Sequence, residues 1–252
     1  MDLNKIKDRL NRLTTSDSQR SNVWKPSPGK QVVRIVPYKF DKEMPFIELY
    51  FHYGIMGKSI LSPTSFGKPD PIKEFADKLM LSGNRDDYQL GRKLTPKLRT
   101  YTPLIVRGEE TQGVRFWGFG KLVYQELLSF INDPDYGDIS DIISGRDLTI
   151  EFKTTEETGS TYPQTLIRIK PNQTSLHDDK QIVDKWLSDQ LSIDDIYKEY
   201  QYNELSEMLN SWLKGVPEEP QDEPTDETSS IVSTETEKSA SDTFDELFNK
   251  SD

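Results

Sequence analysis

The chain of 252 residues contains no cysteine, which excludes disulfides and thiolate metal sites. Histidine is nearly absent too: His52 and His177 lie far apart and share no metal-ligand spacing. No apolar run is long enough to span a bilayer, and the N-terminus lacks the apolar core of a signal peptide. The expectation is a soluble protein of the cytoplasm with no membrane partner. Hydrophobic residues make up 33%, low for a compact domain, so part of the chain is expected to stay unpacked. A Walker sequence, a nucleophile elbow and a Gly-rich dinucleotide fingerprint are all missing. The carboxylates fall in solvated helices or the C-terminal region, and no constellation argues for catalysis. An enzyme is not expected.

What the chain does have is charge, unevenly placed. Its net charge is −11. Residues 1–130 hold 22 Lys and Arg against 14 Asp and Glu, a net of +8, and the rest of the chain carries −19. Residues 215–252 hold 12 acids against 2 bases. A basic half tethered to an acidic tail points to nucleic-acid chemistry and an interaction tail.

Residues 1–13 place Leu3, Ile6, Leu10 and Leu13 at helical spacing with Lys5, Lys7, Arg9 and Arg12 between them. This reads as a short amphipathic basic arm, too short to be stable without a partner, followed by a polar linker to residue 22. Strand text fills QVVRIVPYKF, FIELYFHYGI, KLRTYTPLIVRG, GVRFWGF, DLTIEFKTT and TLIRIKP, with helical spacing in KLVYQELLSFIN. Residues 56–96 read as a long excursion with one helical patch, IKEFADKLML. Residues 178–214 read as helical, ended by Pro217. The fold class is therefore α+β: mainly β with helices, an OB-type antiparallel barrel core spanning 23–214, the 56–96 excursion, C-terminal helices, and an acidic tail over 215–252. Residues 215–243 have almost no apolar content and are expected to be disordered. The tip differs, because Phe244, Leu247 and Phe248 stand among Asp245 and Glu246 at helical spacing, as in a docking peptide for other proteins.

Binding a flexible single strand needs cations for phosphates and flat side chains for bases. Residues 20–40 and 91–108 contain no acid. The first window holds Arg20, Lys25, Lys30, Arg34 and Lys39; the second holds Arg92, Lys93, Lys97, Arg99 and Arg107. Strand side chains alternate between faces. That rule pairs Arg99 with Tyr101, and Arg115 with Trp117, which becomes the stacking candidate, while Phe116 goes to the core. Lys121 follows. Tyr88 beside Arg85 and Tyr162 on a hairpin tip are aromatics with little structural reason to be exposed. Trp24, Trp186 and Trp212 read as packing residues.

In order along the chain, WKPSPGKQVVRIVPYKFDKEMPFIELYFHYGI, RKLTPKLRTYTPLIV, GVRFWGFGKLVYQELLSFI and the closing DTFDELFNKSD resemble the single-stranded DNA-binding, helix-destabilising proteins of T-even-type phages. The resemblance implies an OB-type core with an inserted zinc-bearing subdomain, an N-terminal arm that makes binding cooperative by contacting the next protomer, and an acidic tail that contacts replication and recombination proteins. It implies DNA-facing roles for Tyr88, Tyr101, Trp117 and Tyr162, a basic strand carrying Arg92, Lys93 and Arg99, and a cooperativity role for Lys5, Lys7, Arg9 and Arg12. His52 fits the histidine of the family's zinc site. The cysteine positions fall in LSPTSFGKPDPIKEF, which has none, so no metal or other cofactor is expected and the subdomain is expected to be held by Phe66, Ile72, Phe75 and Leu79. The expected function is cooperative, sequence-nonspecific coating of single-stranded DNA in phage replication, recombination and repair, in the cytoplasm of the infected cell. An RNA-binding OB protein, and a scaffold acting through its acidic tail without nucleic acid, remain open alternatives.

Overall fold

The computed structural model describes residues 22–192, 196–215 and Phe244. The basic arm with Lys5, Lys7, Arg9 and Arg12, the tail over 216–243, and Asp245, Glu246, Leu247 and Phe248 lie outside the described residues. The described residues divide into two compact units, one of 22–48 together with 99–192 and 196–197, the other of 49–98 together with 198–215 and Phe244. The inserted unit is thus wider than the expected 56–96 excursion, and it takes in the last helix.

The first unit is built on strands in the order β1 (Val23–Trp24), β6 (Arg115–Phe119), β5 (Lys97–Val106), β2 (Gly29–Ile35), β7 (Arg146–Lys153) and β8 (Gln164–Gln173). All pairings on this path are antiparallel except β1 with β6. The strand text found in the sequence matches these elements. From Thr100 to Val106 every residue of β5 is buried, so this central strand is covered on both faces. Val33, Ile35, Leu104, Leu148 and Ile150 are wholly inaccessible. Helix α3 (Lys121–Ile131) follows β6, α4 (Thr155–Thr158) joins β7 to β8, and α5 (Lys180–Ser188) follows β8. Trp186 of α5 packs with Val36, Ile105, Leu176 and Val183.

Arg34 lies within this unit, fully buried in β2. Its guanidinium donates to Asp147 Oδ1 at 3.1 Å, Thr174 Oγ1 at 3.0 Å, and the carbonyls of Asp141 and Thr174. A buried charge needs several such partners, since desolvation otherwise outweighs its attraction to one carboxylate. Asp147 is shared with Arg107, whose Nη2 lies 2.9 Å from Oδ1. Gly145 makes the arrangement possible: a Cβ there would stand 2.3 Å from the Asp141 carbonyl oxygen and 2.7 Å from Arg34 Nη2.

The second unit contains the hairpin of β3 (Ile47–Ile55) and β4 (Lys58–Leu61), then α1 (Pro71–Leu81), α2 (Arg85–Leu94) and α6 (Tyr202–Leu213). The hairpin turns through Met56 and Gly57, with φ of 53° and 69°. Two successive left-handed residues are the two-residue turn that suits strand twist. Sequence spacing identifies α1 but misses β4 and α2. Helix α2 has local signals of its own: Asn84 caps Asp86 N at 2.8 Å, Asp86 and Asp87 occupy the first turn, and Arg92 and Lys93 the last. Helices α1 and α2 come close at Gly91, where a Cβ would meet the Ala76 carbonyl oxygen at 2.6 Å. Ile72, Phe75 and Leu79 are inaccessible in the core of this unit. Phe66 is only half-buried, with Lys68 Nζ 5.6 Å from its ring centroid.

Gly145→Ala is expected to lower the unfolding free energy by about 1–3 kcal/mol in urea denaturation, because the added methyl meets backbone that cannot yield. Gly120→Ala, with nothing within 4 Å of the new carbon, loses only a favourable residue at the start of α3 and is expected to cost less, about 0.5–1 kcal/mol. Equal effects would show that the close approach to Arg34 is not a constraint.

Candidate nucleic-acid interface

Several residues that sequence reasoning assigned to DNA are held inside the fold. Arg34 belongs to the buried network above. Trp117 is 2% exposed, with Trp24 edge-on at 6.1 Å and Phe119 at 4.5 Å between ring centroids. The alternation argument placed Trp117 on an open face, but β6 lies between β1 and β5, and Arg115, Phe116 and Trp117 are all buried. Tyr101 is 4% exposed: Tyr197 covers it at 5.6 Å between centroids, with the two hydroxyls hydrogen-bonded. Its ring lies over Gly118, where a Cβ would stand 2.6 Å from Tyr101 Cε1. Burial first, then the Tyr197 neighbour, pushes the Tyr101 hydroxyl well above the usual tyrosine range. Arg115 donates to Glu109 Oε2 at 2.6 Å and Gln112 Oε1 at 2.8 Å across the turn before β6. Arg99 is half-buried and donates to the Gly118 carbonyl at 3.0 Å. Phe116 is core, as expected, and so are Trp24 and Trp186. Trp212 is half-buried against the core of the second unit.

Other residues assigned to DNA stay at the surface. In the second unit, Arg85, Tyr88 and Arg92 are exposed on α2. Their spacing of three and four residues sets them on one face of the helix. Tyr88 is 47% exposed. Sequence spacing gave no helix here; on the helix Tyr88 shares a face with Arg85 and Arg92. Lys93 is half-buried and Lys97, at the start of β5, is exposed.

In the first unit, Lys121 is exposed at the start of α3, and Tyr162, 65% exposed, lies on the connection between α4 and β8. Strand β8 ends the sheet path, and Arg168 and Lys170 are exposed along it. Sequence reasoning passed over these two because the surrounding half is acidic. It also passed over Phe40, 57% exposed with Lys39 Nζ 5.5 Å from its ring centroid and Lys42 exposed two residues on. A large exposed ring between two lysines was the available signal. Rings with cations and open faces suit base stacking with phosphate contact.

The family's zinc site can be tested on His52. Its Nδ1 lies 2.7 Å from the Leu94 carbonyl oxygen and its Nε2 2.8 Å from Asp70 Oδ2. Both ring nitrogens face acceptors and are occupied. No group of three His, Cys, Asp or Glu suited to a metal occurs among the described residues. These residues do not fit the family's metal site. Nor is Ser62, His52 and Asp70 a nucleophilic triad, for the Ser62 hydroxyl donates to Asp70 rather than to the imidazole, and all three are inaccessible. Their role is architectural. Asp70 Oδ1 also accepts from Ile72 N at 2.9 Å and Lys73 N at 3.1 Å, capping α1.

Burial works to raise the Asp70 carboxyl, but the hydrogen bond and charge of His52, the Ser62 hydroxyl and the Lys73 amide together hold it below the usual carboxylate range. A depressed carboxyl adds stability above its unfolded value, and that stability is lost as pH falls through the folded one. Thermal midpoints of the wild type are therefore expected to fall as pH drops from about 5 toward about 3. Asp70→Asn is expected to be less stable at neutral pH by about 3 kcal/mol and to lose this component of the acid dependence. Parallel pH profiles for the two proteins would contradict it.

A scan against protein families matches residues 27–214 to the model described as gp32 DNA binding protein like. No curated protein matches the chain. The family match covers β2 through α6, both units included. No helix among the described residues is long and apolar enough to cross a membrane.

Proposed function

The chain belongs to the gp32-like DNA-binding protein family, and on that premise we propose that it is a cooperative, sequence-tolerant protein that coats single-stranded DNA during phage replication, recombination and repair. The observation that carries the reading is the exposed Arg85, Tyr88 and Arg92 face of α2. Ring stacking accepts any base, and flanking guanidinium groups hold the backbone without reading sequence. Lys97 extends the cationic surface of the second unit, and Lys121, Arg168, Lys170, Tyr162 and Phe40 supply the same chemistry in the first.

The arm carrying Lys5, Lys7, Arg9 and Arg12 links one protomer to the next along the strand. The tail, with 12 acids against 2 bases over 215–252, competes with phosphates for cationic surface and, through its tip, engages replication and recombination proteins. The second unit holds its shape without zinc, through Asp70, His52 and Ser62 above an apolar core. The protein acts in the cytoplasm of the infected cell.

Fluorescence anisotropy of end-labelled homopolymeric single-stranded DNA, matched RNA and duplex, titrated with the protein at rising salt, tests this. Affinity is expected to be highest for single-stranded DNA and to fall steeply with salt. Arg92→Ala, Lys97→Ala or Lys121→Ala should each lower the slope of log affinity against log salt by about 0.7. Tyr88→Leu and Tyr162→Leu should each lose about 1–3 kcal/mol at all salts. Removal of residues 1–13 should lower cooperativity on long strands and leave affinity for a short oligonucleotide nearly intact. Salt-independent binding, or none, would overturn the reading, and tighter binding to RNA would reassign the ligand.

A further inference from the structure

Phe244 stands beyond a long acid-rich stretch whose only larger apolar residues are Val216, Ile231 and Val232. The stretch before it offers little that would bury a phenyl ring. Yet Phe244 is 3% exposed, within the core of the second unit. Its ring meets Phe75 of α1 edge-on, with centroids 6.1 Å apart and planes at 70°. The same cluster contains Ile72, Ala76 and Leu79 from α1 and Leu205, Leu209 and Leu213 from α6. The α6 leucines recur every four residues, so the helix turns one continuous apolar stripe inward. Between them, α1 and α6 form a socket, and an aromatic ring of the chain's own tip fills it.

We propose that the second unit carries a docking socket for a phenylalanine-bearing acidic peptide, and that its resident occupant is the chain's own tip, anchored by Phe244. The tip that would engage other proteins is thereby withheld while its anchor is seated. A partner gains it only by competing with the socket, and an emptied socket is open to acidic, phenylalanine-bearing segments of other proteins. The socket itself does not depend on DNA binding; only the consequence for partners rests on the reading of the tip as a docking peptide.

The test uses the full chain, without DNA, and a fluorescently labelled peptide of residues 238–252. Phe244→Ala should expose the socket: amide exchange in α1 and α6 should rise, and the labelled peptide should bind the variant at least about tenfold more tightly than the wild type, whose socket is filled. The peptide carrying the same Phe244→Ala change should bind neither. Phe244→Leu, which keeps an apolar anchor and the fold, should show an intermediate affinity for the native peptide. Equal peptide binding to wild type and variants, or unchanged exchange in α1 and α6, would overturn the proposal. Light scattering that shows a wild-type dimer dissolved by Phe244→Ala would overturn the resident occupant as stated and assign the socket to a second copy. Because no nucleic acid is present, failure here leaves the DNA-binding reading standing, and failure there leaves the socket standing.

Discussion

Asp70 accepts hydrogen bonds from groups on three sides: the His52 imidazole of β3, the Ser62 hydroxyl after β4, and the first amides of α1. One carboxylate thus fixes a hairpin to the start of a helix. Pro71 at the first helical position needs no amide partner, which leaves the carboxylate to serve the next two amides. With α1 placed, Gly91 sets how closely α2 can approach it, and that approach decides which side of α2 faces outward. Arg85, Tyr88 and Arg92 are the result. The surface chemistry proposed for DNA therefore depends on a buried carboxylate that never touches the ligand. Hydrogen bonds and an apolar core tie the hairpin to the helix.

The fold draws heavily on residue types that DNA binding also needs. Cations and rings serve both as ligand contacts and as core or ion-pair material, and burial sorts them. Arg34, Arg107 and Asp147 form one network, so a cation-rich β2 contributes little positive surface from its centre. Trp24, Trp117, Phe119, Phe46 and Tyr124 make a connected aromatic cluster in the first unit. Among the described residues the rings left exposed are a smaller set, Phe40, Tyr88 and Tyr162, and the first two have cations near them in sequence. Surface rings with that company carry a cost in solubility that a purely structural role would not require.

How much of this was legible in the sequence depended on how far apart the deciding residues lie. Strands with short-range alternation, helix α3, and the core role of Ile72, Phe75 and Leu79 were readable from spacing alone. Arg34 was misread because its acid-free window looked like phosphate-binding text, while its partner Asp147 is 113 residues away. Tyr101 is covered by Tyr197, separated by 96 residues. Trp117 failed for a different reason: alternation marks two faces, but it does not reveal that both are covered. The pairing of Arg115 with Glu109 spans only six residues across a turn, yet the sequence reading gave Arg115 to the DNA face instead. Helix α2 was hidden by its polarity, since only Leu90 and Leu94 mark its inner face, although its cap and its charged ends announced it.

We propose that the rings meeting DNA are those the fold leaves exposed, in place of those that the strand pattern nominated. Ultraviolet cross-linking of the full chain to single-stranded DNA carrying a photoreactive thymine analogue, with adducts mapped by mass spectrometry, tests it most directly. Adducts at Tyr88 and Tyr162, and none at Tyr101 or Trp117, are the predicted result. Adducts concentrated on Tyr101 and Trp117 would contradict the account, because those rings could reach a base only if their cover were removed.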